Sequence, residues 1–139
     1  MIASAPGKLF LLGEYAVLEG GPALLVPVKQ RAKVTLKASN KSQVISHTTA
    51  IKIHSPEEAL QHYPLLQATI AELGCMEQLE NRQLSLDTSA FFNGGVKLGL
   101  GSSAALTVSL VKLFLPEATA NEQFLKAVSC HLAFQNGIG

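Results

Sequence analysis

Hydrophobic and polar positions along the chain change their period near its middle. Over the first third they follow the pattern of strands. Lys8 to Leu12 predicts a short apolar strand and Ala16 to Leu18 another, before Glu19, Gly20, Gly21 and Pro22 mark a turn. Ala23 to Val28 is apolar except at Pro27, which predicts a buried strand near an edge or bend. From Arg31 to Ala38 the alternation is strict. Ala32, Val34, Leu36 and Ala38 point one way, and Arg31, Lys33, Thr35 and Lys37 the other. A turn over 39–42 leads into a strand from Gln43 to Ser46, and Ile51 and Ile53 support one more.

Beyond residue 54 the period becomes helical. Ser55, Pro56, Glu57 and Glu58 supply an N-cap, a proline at the first helical position and a capping-box acid. Pro64 interrupts or restarts that helix. Leu66, Ile70 and Leu73 then recur at helical spacing up to Gly74, a natural stop. Leu84 to Thr88 alternates as a strand, and Asn93, Gly94 and Gly95 read as a flexible connection. A glycine-rich bend, Lys97-Leu-Gly-Leu-Gly-Ser-Ser-Ala-Ala105, feeds an apolar helix that ends at Pro116. Thr119 and Glu122 form a second capping box, Phe124, Val128 and Leu132 line one helical face, and Asn136-Gly137 closes that helix. Strands first and helices after predict an α+β domain without an internal linker or repeat.

Composition narrows the function. The 139 residues are 47% hydrophobic and 15% charged, enough apolar material for one well-packed core. Eleven basic against ten acidic side chains leave a net charge of +1, which argues against a nucleic-acid surface and gives no attraction to an anionic membrane. The longest apolar stretch, Ala104 to Leu115, contains Lys112 and falls short of the ~20 residues a spanning helix needs. Residues 1–7 carry no basic side chain and do not read as a secretory signal. Cys75 and Cys130 lack metal-site or redox-motif spacing and are expected as free, buried thiols, which points to a reducing cytoplasm. His47, His54 and His62 show no ligand spacing, so no zinc site is expected. Phe91 and Phe92 are assigned to core packing, and His131 to a packed or half-exposed position on the last helix.

The chemistry concentrates in two clusters. A helix start leaves several backbone N–H groups unpaired, and its dipole makes that end slightly positive. Gly99 and Gly101 remove side-chain bulk in front of those donors, while Ser102 and Ser103 add hydroxyls that cap the helix, touch phosphate or join a Mg²⁺ shell. Taken alone, the bend reads equally as a tight turn with a serine cap. It is no Walker A loop, since no Gly-Lys-Ser/Thr ends it. It fits the looser G-x-G-x-x-A form of a dinucleotide-binding turn, but its lead-in, residues 93–97, is a poor buried strand. The second cluster, Ala5-Pro-Gly-Lys-Leu-Phe-Leu-Leu-Gly-Glu-Tyr-Ala-Val-Leu18, places Lys8 and Glu14 at opposite ends of a short strand. A lysine beside phosphates stabilises charge developing in phosphoryl transfer, and Glu14 can orient it or a substrate hydroxyl.

Together the clusters resemble the GHMP kinase superfamily. The first resembles its amino-terminal A-P-G-K-x-x-L-x-G-E-Y/H-A-V signature and the second its phosphate loop, and the resemblance covers nearly the whole chain from Ala5. Residues 13–20 and 97–103 look most like the phosphomevalonate kinase branch, with mevalonate kinases next. The resemblance implies an α+β fold, the GHMP kinase amino-terminal domain (ribosomal protein S5 domain 2-like), and ATP-dependent phosphorylation of 5-phosphomevalonate. It implies that Lys8 faces the transferring phosphoryl group, and that Glu14 and Tyr15 organise the pocket of a small-molecule phosphoryl acceptor. It further implies that Lys97, Gly99, Leu100, Gly101, Ser102, Ser103 and Ala104 surround the phosphates of ATP, with Ser103 touching Mg²⁺. Residues 135–139 resemble the start of a segment that in the family continues as Ser-Gly-x-Asp, and the family's carboxy-terminal domain is absent. The expectation is therefore an incomplete amino-terminal domain, inactive alone and self-associating through apolar surface left uncovered. A dinucleotide-dependent oxidoreductase and a non-catalytic nucleotide-binding remnant are the alternatives.

Overall fold

The computed structural model describes residues 1–135. Five strands form one sheet: β1 (Ile2–Leu12), β2 (Leu24–Ala38), β3 (Gln43–His47), β4 (Ile51–His54) and β5 (Arg82–Asp87). Their order is β1-β2-β5-β3-β4, antiparallel throughout except where β3 runs parallel to β5. Four helices, α1 (Pro56–His62), α2 (Pro64–Leu73), α3 (Ser102–Phe114) and α4 (Ala120–Phe134), complete the domain. α3 lies on β1 and β2, with α2 and α4 packed beside it. The main core joins Val34, Leu36, Leu84 and Leu86 of the sheet to Leu66, Leu110 and Phe114 of the helices.

The helix boundaries follow local chemistry. Ser55 and Glu58 exchange hydrogen bonds as a capping box at α1, and Thr119 and Glu122 do the same at α4. Pro64 ends the reach of α1 and opens α2 as its first residue, and Gly74 closes α2 in the left-handed conformation at φ +60°. Along β2 the buried residues are Ala32, Val34 and Leu36, as the alternation predicts, while Ala38 at the strand's end is exposed.

The structure departs from the sequence reading in several places, and Ala23 to Val28, expected as a buried strand, has Leu24 and Leu25 exposed. Ala16 to Leu18 is not a strand but part of a 3₁₀ turn, Ala16–Glu19, closed by Gly20 N–H to Val17 C=O and Gly21 N–H to Ala16 C=O. Local bonds satisfy this backbone, and among the described residues no strand lies alongside to do so instead. β1 begins at Ile2 rather than Lys8, because β2 offers a partner as far as Thr35. The two segments predicted on either side of Lys29 are one strand; Pro27 pairs with Lys8 on one side, and β5 reaches only Lys33–Ala38 on the other. Asn93 to Gly95 is a tight hairpin joining β6 (Phe92–Asn93) and β7 (Val96–Lys97), turned by Gly94 and Gly95 at φ +55° and +83°.

The helical face of Phe124, Val128 and Leu132 exists but is open to solvent, Phe124 being 64% exposed. α4 instead packs through Ala127 and Cys130 against Val111. The closing Asn136-Gly137 and the segment resembling a family continuation lie outside the described residues, save Gln135. None of the described helices is long and apolar enough to cross a membrane. The sheet lacks the parallel, doubly wound arrangement that a dinucleotide-binding turn serves.

Candidate functional site

The two clusters meet because two glycines let backbone and side chain come unusually close. At Gly7 β1 is irregular. A Cβ there would strike the Leu100 carbonyl oxygen and stand 2.5 Å from Cε1 of Phe91. Without it, the next residue's amide reaches the loop, and Lys8 N–H donates to Leu100 C=O at 2.9 Å. Leu100 is held from below by Ala5, Ala32, Phe91 and Ala105. Gly99 and Gly101 both sit at φ +71°, so the bend reverses without strain. A Cβ on Gly101 would lie 3.0 Å from Cγ of Lys8, so that glycine is also where the lysine side chain crosses the bend.

The bend delivers the chain into α3 without a side-chain cap. Ala105 N–H to Gly101 C=O, 3.1 Å, is the first bond of helical reach. The amides of Ser102, Ser103 and Ala104 therefore have no carbonyl one turn behind them within the helix. The buried Ser109 hydroxyl lies 2.7 Å from Ala105 C=O and 3.3 Å from Ala32 C=O, fastening the helix to the sheet behind the bend. A fixed set of free donors at the positive end of a helix is equipment for an anion.

In front of the bend is a cavity of about 310 Å³ lined by Lys8, Leu9, Phe10, Glu14, Gly99 and Gly101. The Lys8 ammonium stands 4.7 Å from the centre of the Phe10 ring, a cation–π contact that leaves it free to meet an anion. Glu14 is exposed on the wall of this cavity. Ser102 is buried and Ser103 half-buried in the first turn of α3. On the other side of Lys8 a second cavity, about 350 Å³, opens between α3 and α4 and includes Ala104, Thr107 and His131. Lys8 lines both.

Not every residue singled out from sequence comes to this place. Tyr15 is 78% exposed and Lys97 is exposed in β7, and neither lines the two cavities; Leu100, Ser102 and Ser103 belong to the bend and the first turn of α3 but line neither cavity. Phe91 is fully buried in the small cluster under Leu100 and Phe92 packs against that cluster, so both serve packing. The imidazoles of His54 and His62 stand 5.0 Å apart, but no group of three metal-ligating side chains forms among the described residues. Cys75 and Cys130 are free and buried, and burial pushes the Cys75 thiol up to about 11.

Thr107 is a site neighbour that sequence reasoning did not single out, and His131 is one it placed as packed or half-exposed on the last helix. His131 is half-buried, its Nδ1 lies 3.3 Å from Thr107 Oγ1, and burial and then the charge of Lys8 hold its pKa below the ordinary value. Thr107 sits one turn after Ser103, a spacing visible in the sequence. The approach of His131 to Lys8 spans most of the chain and leaves no local signature.

No family model matches the chain. It is 30% identical over 136 residues to a phosphomevalonate kinase of Streptomyces sp. (strain CL190), an alignment covering 80% of this chain and 36% of the relative. It is 33% identical over 109 residues to a mevalonate kinase of Methanothermobacter thermautotrophicus, covering 78% and 34%. The chain thus spans about a third of the length of the curated relatives it matches. Among solved structures, Streptococcus pneumoniae phosphomevalonate kinase in complex with phosphomevalonate and AMPPNP superposes with a TM-score of 0.74 at 24% identity, over 95% of this chain and 42% of that one. Mevalonate kinase from methicillin-resistant Staphylococcus aureus superposes with a TM-score of 0.60 at 26% identity, over 96% and 44%.

Proposed function

We propose, from the similarity of its sequence and fold to phosphomevalonate and mevalonate kinases, that this chain is the nucleotide- and substrate-binding portion of an ATP-dependent small-molecule kinase of the GHMP type. The acceptor best supported is 5-phosphomevalonate, converted to the diphosphate in the mevalonate pathway. The observation that carries the reading is the joining of Lys8 to the bend: its amide is bonded to Leu100 and its side chain lies across Gly101, beside the free amides of α3.

In this reading the amides of Ser102, Ser103 and Ala104 bind phosphate oxygens, and Gly99 and Gly101 let them approach. Leu100 holds Lys8 in place through its carbonyl, and Lys8 offsets negative charge as the phosphoryl group passes to the acceptor. Glu14, across the cavity, orients the lysine or an acceptor hydroxyl, with Tyr15 at the acceptor's outer side and Lys97 at the outer side of the phosphates. Hydroxyl and carboxylate oxygens are the donors a hard cation takes, so Ser103 fits Mg²⁺, which when bound neutralises and orients the phosphates. The chain is then an incomplete amino-terminal domain, the carboxy-terminal domain lies outside it, and alone it turns over no acceptor.

Calorimetric titration of the chain with Mg·AMPPNP tests the nucleotide site. Binding is expected, weakened roughly tenfold by Lys8→Met, the equivalent of about one charge-assisted hydrogen bond. Equal affinity of wild type and Lys8→Met would refute the assignment. Acceptor profiling with Mg·ATP, on a protein carrying this chain within the full length of its relatives, decides the substrate. Turnover of mevalonate but not 5-phosphomevalonate would replace the phosphomevalonate reading with mevalonate kinase, which the 33% identity to that relative makes the second reading.

A further inference from the structure

Lys8 lies on the wall of two cavities, and only the one at the glycine bend is used above. The other is walled mainly by apolar side chains of α3 and α4, and its hydrogen-bonding side chains are Lys8, Thr107, His131 and Gln135. Among the described residues it contains no carboxylate. The elements around His131 contribute the Lys8 ammonium from β1, the Thr107 hydroxyl from α3, and from α4 itself the Phe134 ring, 5.8 Å away.

Hydrogen-bond geometry favours one arrangement of the ring. Thr107 has one hydroxyl hydrogen, and it is donated to Ser103 C=O at 3.0 Å, because a carbonyl can only accept. With that hydrogen on Ser103 C=O, the contact between Thr107 Oγ1 and His131 Nδ1, 3.3 Å, is a hydrogen bond when a protonated Nδ1 donates to the hydroxyl oxygen. In a neutral imidazole the proton on Nδ1 leaves Nε2 with a lone pair. The ring is thereby joined through Thr107 to the peptide of Ser103, at the opening turn of α3.

We propose that His131 is a positioning residue of this site: the Thr107 hydroxyl holds it as the uncharged Nδ1–H tautomer, and it presents an acceptor nitrogen rather than a second positive charge to the cavity shared with Lys8. The inference deepens the kinase reading and rests on it for the role of Lys8. The tautomer and the coupling to Lys8 stand on this chain alone. With no carboxylate among the described residues of the cavity wall, a charged imidazole would meet the repulsion of the lysine without a counter-ion. The lowered pKa of His131, from burial and from Lys8, agrees with an uncharged ring.

Long-range ¹H–¹⁵N NMR on the chain labelled with ¹⁵N-histidine reads both tautomer and titration, with His131→Gln used to assign the signal. The Nδ1–H form is expected to dominate at pH 8, to persist in Thr107→Ser, and to be lost in Thr107→Val. A dominant Nε2–H form in wild type, or no change in Thr107→Val, would overturn the proposal. Lys8→Met is expected to raise the His131 midpoint by several tenths of a pH unit, since it removes a neighbouring positive charge. An unchanged midpoint would overturn the coupling. Adding Mg·AMPPNP is expected to raise the midpoint as well, by bringing phosphate charge beside Lys8. Calorimetric binding without that rise would exclude His131 from the site. If no nucleotide binds at all, the kinase reading falls, and the tautomer and Lys8→Met results still decide whether His131 faces Lys8 in the stated form.

Discussion

Replacing Gly7 by alanine adds one carbon where the two halves of the candidate site touch. Ordinary contact begins near 3.4 Å, but the new Cβ would lie 2.5 Å from Cε1 of Phe91 and 3.1 Å from Cγ2 of Val28, with the Leu100 carbonyl oxygen closer still. Phe91 has no exposed surface through which to swing away, and Leu100 presents backbone. The strand must therefore retreat from the bend, lengthening the bond from Lys8 N–H to Leu100 C=O. Overpacking of this kind costs ~1–3 kcal/mol. The lost hydrogen bond adds about 1 kcal/mol, for a total of roughly 2–4 kcal/mol. Gly99→Ala is the control: it sits at φ +71° with nothing within 4 Å, so only backbone strain of about 1 kcal/mol opposes it. Urea unfolding measures both, read as a shift in midpoint at constant slope. The expected order is a large loss of stability for Gly7→Ala and a small one for Gly99→Ala. Equal losses, or a Gly7→Ala variant as stable as wild type, would show that the glycine is not what lets β1 meet the bend.

Three further outcomes follow from the same structure. The Cys75 thiol is raised from 9.0 to about 11 in the folded chain by burial, so stability is fully present below pH 9 and is lost as pH rises toward 11; urea midpoints between pH 8 and 11 measure this, and a flat profile contradicts it. Glu122 accepts hydrogen bonds from the Thr119 amide and hydroxyl, which lowers its pKa, so the cap's contribution is present at neutral pH and lost as pH falls through the carboxylate range; Thr119→Ala should flatten that acid limb of the stability curve. Phe124, Leu125, Val128 and Leu132 on α4, with Leu12 at the end of β1 and Leu18 in the 3₁₀ turn, leave much apolar surface exposed, so the chain is expected to self-associate; sedimentation showing a monomer across a hundredfold concentration range would refute this.

What the sequence determines by itself is what neighbouring residues settle among themselves. Both capping boxes, the break at Pro64, the left-handed stop at Gly74 and the strand-to-helix order are legible because each depends on atoms a few residues apart. The bend into α3 is legible for the same reason, since two glycines before two serines already specify a reversal and a helix start. Tertiary structure decides whatever depends on which surface lies opposite. Ala16 to Leu18 has the composition of a strand, but no partner strand reaches it and local bonds close it as a 3₁₀ turn. Phe124, Val128 and Leu132 share a helical face, but periodicity only defines that face and cannot say whether the chain supplies anything to cover it. The meeting of Lys8 with Gly101 and with the cavity of His131 joins residues some ninety to more than a hundred positions apart. Close approach across that separation is set by how α3 and α4 seat on β1 and β2, because a short-range pattern carries no information about distant backbone.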